Sequence, residues 1–204
     1  MDLSDSPARF EPEDVADPIA LFRRWLADAA ESEPNDPNAM SLATATRSGR
    51  PSVRMVLMKR LDERGFSFYT NVESQKGIEL HDNPHAALCF HWKSRRRQVR
   101  VEGAVHELPP EDADTYFRSR SRLSQIGALV SQQSRPLASR EELERQARAC
   151  EEQYPGEVPR PAYWRGFVLF PERIEFWEDG AHRLHNRIVF TRTEDDWTRT
   201  RLFP

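Results

Sequence analysis

The sequence predicts an α+β fold in which short antiparallel strands form a barrel core and helices lie outside it. Between residues 40 and 108, short β-rich runs alternate with Gly, Pro, Asn and Asp turns, which is the pattern of consecutive hairpins. Helical patterns precede this segment and follow it to about residue 154, and strand patterns return from residue 167. Hairpin order favours a barrel or a sandwich over a doubly wound parallel sheet.

The first helix is predicted from residue 17 to about residue 30, after an N-terminal arm. Residues 1–16 are rich in Asp, Glu and Pro and lack apolar periodicity, so we expect a mobile arm. Asp17 and Pro18 are typical of a helix start. Apolar residues then follow at helical spacing: Leu21, Phe22, Trp25, Leu26 and Ala29. Residues 17–204 are expected to form a single domain.

The remaining elements follow from turn and capping signals. Strands are predicted at residues 40–46, 53–59, 66–71, 86–92, 98–108, 167–170, 173–177, 187–192 and 197–202. Helices are predicted at residues 74–81, 110–120, 125–130 and 139–154. The last helix begins with a capping-box pattern formed by Ser139 and Glu142.

Composition argues against several classes of function. A formal net charge of −3 gives no overall attraction for nucleic acid or an anionic membrane, so we expect neither partner. Cys89 and Cys150 belong to no C-x-x-C motif, which disfavours a disulfide scaffold or a zinc site. The N-terminus is acidic, and no apolar run approaches the ~20 residues that cross a bilayer. We therefore expect a soluble cytoplasmic protein.

The segment from Phe176 to Arg187 carries the most informative functional pattern. If it is extended, Arg183, His185 and Arg187 share one face, because side chains alternate along a strand, and Trp177 lies nearby. Neighbouring cations repel each other unless an anion lies among them, so this face favours an anionic planar ligand. An edge strand with solvated arginines is equally consistent with this segment alone.

Two earlier segments also offer cations to an anion. Arg54 and Lys59 flank an apolar run, and their odd offset predicts opposite faces of a strand. Strand ends that reach solvent are the simpler explanation of this pair. At residues 74–77, free backbone N–H groups, a hydroxyl and Lys76 suit a phosphate. An ordinary capped helix is the simpler explanation of that segment.

Tyr116, Arg120 and Ser124 recur at intervals of four residues. On a continuous helix they form one stripe, in which a phenol, a guanidinium and a hydroxyl make a clamp for an anion. A solvated basic helix is the alternative, and a helix break near Ser121 would disrupt the stripe.

Two other patterns are discounted. The basic run at residues 93–98 joins two strands and has only Trp92 as a stacking aromatic, which favours a solvated hairpin tip over an RNA site. His182 and His185 have no third ligand at a recognisable spacing, so we expect no metal.

Taken together and in order, these motifs resemble the pyridoxine/pyridoxamine 5′-phosphate oxidase family from about Asp17 to Pro204. The resemblance is carried by Asn38-Ala39-Met40, Arg54-x-Val56-Leu57-x-Lys59, Phe68-Tyr69-Thr70-Asn71, Arg97-Gln98-Val99, Tyr116-Phe117-x-Ser119-Arg120, Ser124-Gln125-Ile126-Gly127-Ala128, Ser131-x-Gln133-Ser134, Ile174-Glu175-Phe176-Trp177 and Arg183-Leu184-His185.

The resemblance implies an FMN-binding split β-barrel that works as a homodimer with FMN at the subunit interface. By motif position it implies FMN contacts at Arg54, Met55, Val56, Leu57, Met58, Lys59, Tyr69, Thr70, Lys76, Gln98, Gln133, Ser134, Trp177 and Arg187. It places the substrate phosphate at Lys59, Tyr116, Arg120 and Ser124, and the substrate ring at Arg183, Leu184 and His185. Arg183 and His185 are the catalytic candidates.

The implied activity is the FMN-dependent oxidation of pyridoxine 5′-phosphate and pyridoxamine 5′-phosphate to pyridoxal 5′-phosphate, with O₂ reduced to H₂O₂. Two residues depart from the family pattern. Gln75 stands where the family often has Arg, which leaves more of the phosphate contact to Lys76 and Arg54. Asn186 stands where Asp is usual, and alternation turns it away from His185, so structural consequences are expected.

Other functions remain open on the residues alone. The nearest are other flavin enzymes on the same barrel, such as a phenazine-pathway oxidase or a flavin reductase. The Tyr116, Arg120 and Ser124 clamp favours a phosphorylated substrate over these. A flavin or haem carrier and an RNA binder that uses residues 95–97 are the non-catalytic alternatives.

Overall fold

The computed structural model describes residues 15–194 and 196–204, which contain nine strands and five α-helices. The helices are α1 (Pro18–Ala30), α2 (Gln75–Asp82), α3 (Pro110–Ser119), α4 (Arg122–Val130) and α5 (Arg140–Gln153). The strands are β1 (Ala39–Ala45), β2 (Pro51–Leu57), β3 (Arg60–Asp62), β4 (Gly65–Asn71), β5 (His85–Trp92), β6 (Arg97–Glu107), β7 (Trp164–Glu178), β8 (Asn186–Arg192) and β9 (Trp197–Arg201). The predicted arm at residues 1–16 lies outside the described residues except for its last two.

The strands form one antiparallel sheet in the order β2-β1-β5-β6-β7-β4-β3, and β8 and β9 extend it from β7. One edge of β7 pairs with β6 along most of its length. The other edge pairs first with β4 and then with β8. The single long strand therefore joins two parts of the sheet, which confirms the predicted α+β class with an antiparallel split β-barrel and helices outside it.

The core forms because α1 lays its apolar face on the inner side of the sheet. Phe22 is fully buried and makes edge-to-face contacts with Phe66 and Phe90, at ring-centre distances of 4.9 and 4.8 Å. Asp17 caps the helix by accepting a hydrogen bond from the Ile19 amide, as the sequence predicts. A second cluster, built around Phe117 and Trp164, packs α3, α4 and α5 against the start of β7.

Most predicted elements are confirmed within a few residues, including the capping box, in which Ser139 accepts from the Glu142 amide. The two strands predicted at 167–170 and 173–177 are one strand, because a bulge opposite Glu102 and Gly103 absorbs the intervening residues. Strand β3 was not predicted, since three residues carry no periodicity. Cys89 and Cys150 are free thiols. None of the helices in the described part of the chain could span a membrane.

Candidate active site

A cavity of about 1000 Å³ lies between β2, β4, α2 and the α3–α4 junction. Most of the residues predicted to bind a ligand line it, although their sequence positions are far apart. They are Arg54, Met55, Val56, Leu57, Lys59, Tyr69, Thr70, Lys76, Tyr116, Arg120, Ser124, Gln133 and Ser134. The side chain of Met58 points instead into the hydrophobic core, since β2 has ended at Leu57.

Arg54 and Lys59 both line this cavity, so the predicted placement on opposite faces is wrong. The alternation rule fails because β2 ends between the two residues, at Leu57. The chain then bends, and the amide of Lys59 donates to the carbonyl of Ser67 on β4. The two cations can therefore act on ligands in one cavity.

At the α2 end of the cavity, Lys76 is buried and its ammonium group is held by three oxygens. Nζ donates to Gln133 Oε1 at 2.6 Å, to Thr70 Oγ1 at 3.2 Å and to Ser74 Oγ at 3.3 Å. Burial, and secondarily the charge of Arg54, lowers the pKa of Lys76 to about 8. A buried amine with this pKa is poised to respond to an incoming anion.

The turn before α2 is tight, so the first turn of the helix, which contains Lys76, lies beside the cavity. Ser74 caps the helix by accepting from the Gly77 amide. A Cβ atom at Gly77 would lie 2.3 Å from the carbonyl oxygen of Val72, so only glycine lets the helix begin this close to the end of β4.

Beside Lys76, a buried carboxylate fixes the guanidinium of Arg54. Glu79 accepts hydrogen bonds from Thr44 and Ser52, both at 2.5 Å, and pairs with Arg54 at 3.3 Å. Burial alone would raise the pKa of Glu79, but these bonds and one from Gln75 outweigh it and lower the pKa to about 2. Gln75 is the residue that departs from the family pattern, and its side-chain amide donates to Glu79 Oε1 at 3.0 Å.

The clamp residues do not form the predicted helical stripe. Helix α3 ends at Ser119, Arg120 adopts an extended backbone, and Ser121 caps a new helix. The stripe on one continuous helix is thus wrong, yet Tyr116, Arg120 and Ser124 all line the cavity. The break turns the backbone so that residues from two helices face one space.

Arg120 has an unusual environment for a charged side chain. Its guanidinium lies 5.1 Å above the Trp164 ring, and Nη1 is buried with no acceptor among the described residues. Burial lowers the pKa of this arginine. Trp164 also stacks on Tyr69, which stacks on Tyr116 at 4.3 Å. A half-buried guanidinium whose buried Nη1 has an unused donor suits an anionic ligand.

The other predicted residues lie elsewhere on the chain, at the far end of β7. Gln98, Trp177 and Arg187 pair across β6, β7 and β8 and so share one face of the sheet. The imidazole of His185 packs 4.7 Å from the Trp177 ring. Arg183 and Leu184 lie in the adjoining turn and are exposed. None of these residues lines the cavity described above.

Glu175 holds the arginine of this second group. It is buried, and its Oε1 accepts from Arg187 at 2.7 and 2.9 Å. Arg173 donates to the other carboxylate oxygen at 3.2 Å, and the Phe203 carbonyl accepts from Arg187 at 3.0 Å. Arg187 is thereby fixed in place before any ligand binds.

The extended run on which the shared face of Arg183, His185 and Arg187 depended is not found: residues 186 and 187 are in a strand, but Arg183 is not. Residues Ala181–Arg183 form a 3₁₀ turn, with φ of 58° at His182 and 64° at Arg183, and β8 begins only at Asn186. Side-chain alternation therefore does not place Arg183, and the turn brings His185 to Trp177 instead.

The basic run at residues 93–98 is not simply a solvated tip. Arg95 donates to the carbonyl of Asp28 at 2.8 Å, and Arg97 pairs with Glu178 at 2.8 Å and Asp28 at 2.9 Å. Arg96 pairs with Asp179. These arginines anchor the hairpin to α1 and β7. Within residues 15–194 and 196–204, no three metal-binding side chains converge around His182 and His185.

Sequence reasoning missed Trp164 and Glu79 in this region. Trp164 forms part of the cavity wall, but it follows a proline-rich linker and has no motif around it. Glu79 lies one turn after Lys76 and Gln75 on α2, and that helical spacing was the available signal.

The curled antiparallel sheet, with a cationic cavity against it, defines the chain as a split-barrel protein. Its relatives identify the family. A model described as pyridoxamine 5′-phosphate oxidase matches residues 26–154, and one described as the pyridoxine 5′-phosphate oxidase C-terminal dimerisation region matches residues 164–204. The chain belongs to the pyridoxamine 5′-phosphate oxidase family.

Individual relatives agree with this assignment. Proteins named pyridoxine/pyridoxamine 5′-phosphate oxidase are similar in Gluconobacter oxydans (59% identical, covering 93% of this chain and 95% of the relative) and Rhodospirillum rubrum (57%, covering 92% and 96%). A solved structure of PhzG from Burkholderia lata 383, in complex with tetrahydrophenazine-1-carboxylic acid, has a TM-score of 0.89 at 33% identity, covering 97% of this chain and 98% of PhzG.

Proposed function

We propose that the protein oxidises pyridoxine 5′-phosphate and pyridoxamine 5′-phosphate to pyridoxal 5′-phosphate, with FMN as cofactor and O₂ reduced to H₂O₂. The observation that carries this proposal is the buried Nη1 of Arg120, which has no acceptor in the described part of the chain. Arg120 lines the same cavity as Lys76, whose side chain is buried. One cavity thus offers two cationic groups on different elements, as a phosphorylated cofactor and a phosphorylated substrate require.

The donor set fits FMN at the α2 end. Lys76, Thr70 and Ser134 supply an ammonium group and hydroxyls for a phosphate, and Arg54 adds charge. Arg54 itself donates four hydrogen bonds within the chain, so its role there is electrostatic more than direct. When bound, FMN supplies the two-electron redox chemistry that no side chain provides.

The protein's own residues bind and orient the substrate. Arg120, Tyr116 and Ser124 hold its phosphate, and Lys59 lies 5.7 Å from the Tyr116 ring with its amine free to join them. Fixing the phosphate fixes the distance of the reacting carbon from the cofactor, which is how positioning contributes to rate. Arg183 and His185 then hold the substrate ring, and His185 accepts its proton.

We propose that each active site combines the cavity of one subunit with the Trp177 face of its partner. Trp164 lines the cavity at the start of β7, whereas Trp177 lies thirteen residues further along the same strand. At about 3.3 Å per residue the two are separated by roughly 40 Å of strand, so one chain cannot bring both to one ligand. The protein is a homodimer, and its dimerisation region spans residues 164–204.

The edge strand beside the cavity supports this arrangement. Val53 and Met55 on β2 are 67% and 63% exposed, which is typical of apolar residues that a partner covers. Val53 and Met55 also line the cavity, so the partner would meet the ligand and this strand together.

A turnover assay tests the function. Purified protein with FMN should consume O₂ with pyridoxine 5′-phosphate and pyridoxamine 5′-phosphate, and should use unphosphorylated pyridoxine at least about 30-fold less well, since the Arg120 clamp then has no partner. A flavin carrier would be coloured but would not consume O₂ with either substrate. Preference for an unphosphorylated ring compound would instead favour a phenazine-type oxidase.

The lowered pKa of Lys76 predicts that the protein takes up a proton when it binds FMN in alkaline solution. Because the pKa of Lys76 lies at about 8, the free protein has lost this charge at pH 9. A bound phosphate favours the charged amine, so binding at pH 9 should take up close to one proton, and FMN affinity should fall at least about tenfold between pH 8 and 10.

Calorimetry of FMN binding to the FMN-free protein, in buffers of different ionisation enthalpy, measures this uptake. Lys76→Met should abolish the uptake, whereas Lys93→Met at the exposed hairpin tip should retain it. The same depressed pKa implies that folded-state stability rises from about pH 8 towards pH 10.5, where the unfolded chain still binds the proton. Uptake that persists in Lys76→Met would contradict the assignment.

A further inference from the structure

His185 has two neighbours that make opposite demands on one ring nitrogen. The backbone N–H of Gly180 donates to Nδ1 at 3.1 Å, which requires a lone pair on that atom. Oδ1 of Asp179 lies 3.0 Å from the same Nδ1, which requires a proton there. A neutral imidazole carries one proton, so these two neighbours favour different tautomers.

Contacts with the β5–β6 hairpin hold Asp179 beside His185, where its carboxylate can favour one tautomer of the imidazole. Its side chain is 17% exposed and that of His185 is 20% exposed, so water screens the pair only partly. Arg96 pairs with Asp179 through its guanidinium and accepts from the Asp179 amide at 3.0 Å. The carboxylate is thereby anchored to the β5–β6 hairpin and held close to the imidazole.

The backbone of the turn keeps the two residues together. A Cβ atom at Gly180 would lie 2.0 Å from the carbonyl oxygen of Leu184, so the turn closes only with glycine at this position. His182 and Arg183 adopt left-handed φ values inside the same turn. The carboxylate of Asp179 and the imidazole of His185, six residues apart in sequence, therefore lie in a closed turn rather than on a free strand.

We propose that Asp179 is a positioning residue that keeps the proton of His185 on Nδ1 and leaves the lone pair on Nε2. A hydrogen bond to a carboxylate is about twice as strong as one from a neutral amide, so Asp179 outweighs Gly180. This inference rests on the proposed function, in which His185 takes a proton. The substrate's O–H or N–H bond then breaks, a new N–H bond forms at Nε2, and the imidazolium is neutralised by Asp179.

The contact between Asp179 and His185 also explains why a neutral residue is tolerated at position 186. Asn186 lies opposite Glu178 in the β7–β8 ladder and carries no charge to offer the imidazole. In this chain the carboxylate nearest to His185 comes from Asp179, on the other side of the turn.

The test reads the tautomer directly. Protein labelled with ¹⁵N-histidine and loaded with FMN is studied by NMR, and the His185 signals are identified by their loss in His185→Gln. We expect the proton on Nδ1 in the wild-type protein and on Nε2 in Asp179→Asn. The neighbouring Glu178→Gln, equally buried but paired with Arg97, should keep the wild-type tautomer.

Kinetics provide the second measurement. Asp179→Asn should lower kcat about 100-fold while KM for pyridoxine 5′-phosphate changes less than about threefold, because the phosphate clamp is intact. Asp179→Glu should recover part of the rate. A wild-type proton on Nε2 would overturn the inference even if Asp179→Asn failed to fold, and so would an unchanged tautomer in that variant. Wild-type protein that shows the expected tautomer but no turnover would contradict the proposed function instead.

Discussion

Replacing Arg120 with alanine is expected to raise KM for pyridoxine 5′-phosphate by roughly 30- to 150-fold, with kcat within about threefold of wild type. Hydrogen bonds to a charged group contribute roughly 2–3 kcal/mol, and each 1.4 kcal/mol corresponds to a factor of ten. The effect falls on KM because the phosphate is held equally before and during the reaction.

The guanidinium of Arg120 is already desolvated in the protein without substrate. Replacing Arg120 should therefore weaken substrate binding. Arg120 is desolvated, its pKa is lowered, and Nη1 has no acceptor among the described residues. A bound phosphate supplies the missing acceptor in a site where water no longer competes. Unphosphorylated pyridoxine gains nothing from Arg120, so its KM should be unchanged in the variant.

Steady-state kinetics with both substrates check this prediction, and Arg118→Ala is the matched control. Arg118 lies two residues earlier on α3, is exposed, and does not line the cavity. Its loss should change neither KM nor kcat. Thermal unfolding of the FMN-free variants separates binding from folding. An Arg120→Ala variant with wild-type KM would show that the substrate phosphate lies elsewhere.

The sequence predicts the strands and helices well because their signals are local. Alternation and turn residues locate β1, β2 and β4 to β6 within a few residues, and Asp17 and Ser139 cap helices where expected. Predictions fail where the backbone changes direction. The turn at 181–183 uses left-handed φ at His182 and Arg183, although neither position holds the Gly, Asn or Asp that marks a turn in a sequence.

Family resemblance collected the predicted binding residues into one ligand set, and the structure divides them into two groups that motif order did not predict. Motif order along a chain contains no information about which subunit faces a ligand. The length of β7 indicates that two subunits contribute to each site, because Trp164 and Trp177 lie near opposite ends of this one strand. The environment of Glu175 is likewise visible only in three dimensions, since its arginine partners come from β6, β7 and β8.

Combining two impaired variants in one dimer should therefore restore activity if the sites are shared between subunits. Arg120→Ala damages the cavity, and the double variant Arg183→Ala/His185→Ala damages the turn beside Trp177. A heterodimer then contains one site with both parts intact and one with both parts altered. Half of the sites of the heterodimer are intact, so about half of the wild-type rate should return.

Co-expression with two affinity tags yields the heterodimer, and rates are measured well below KM, where the Arg120→Ala defect is fully visible. Arg120→Ala paired with Lys76→Met is the matched control. Both changes lie in the cavity, so every site of that heterodimer keeps one damaged cavity and no rate should return. If the first pair also stayed inactive while mass spectrometry showed the heterodimer, each subunit would have to complete its own site, which the span of β7 argues against.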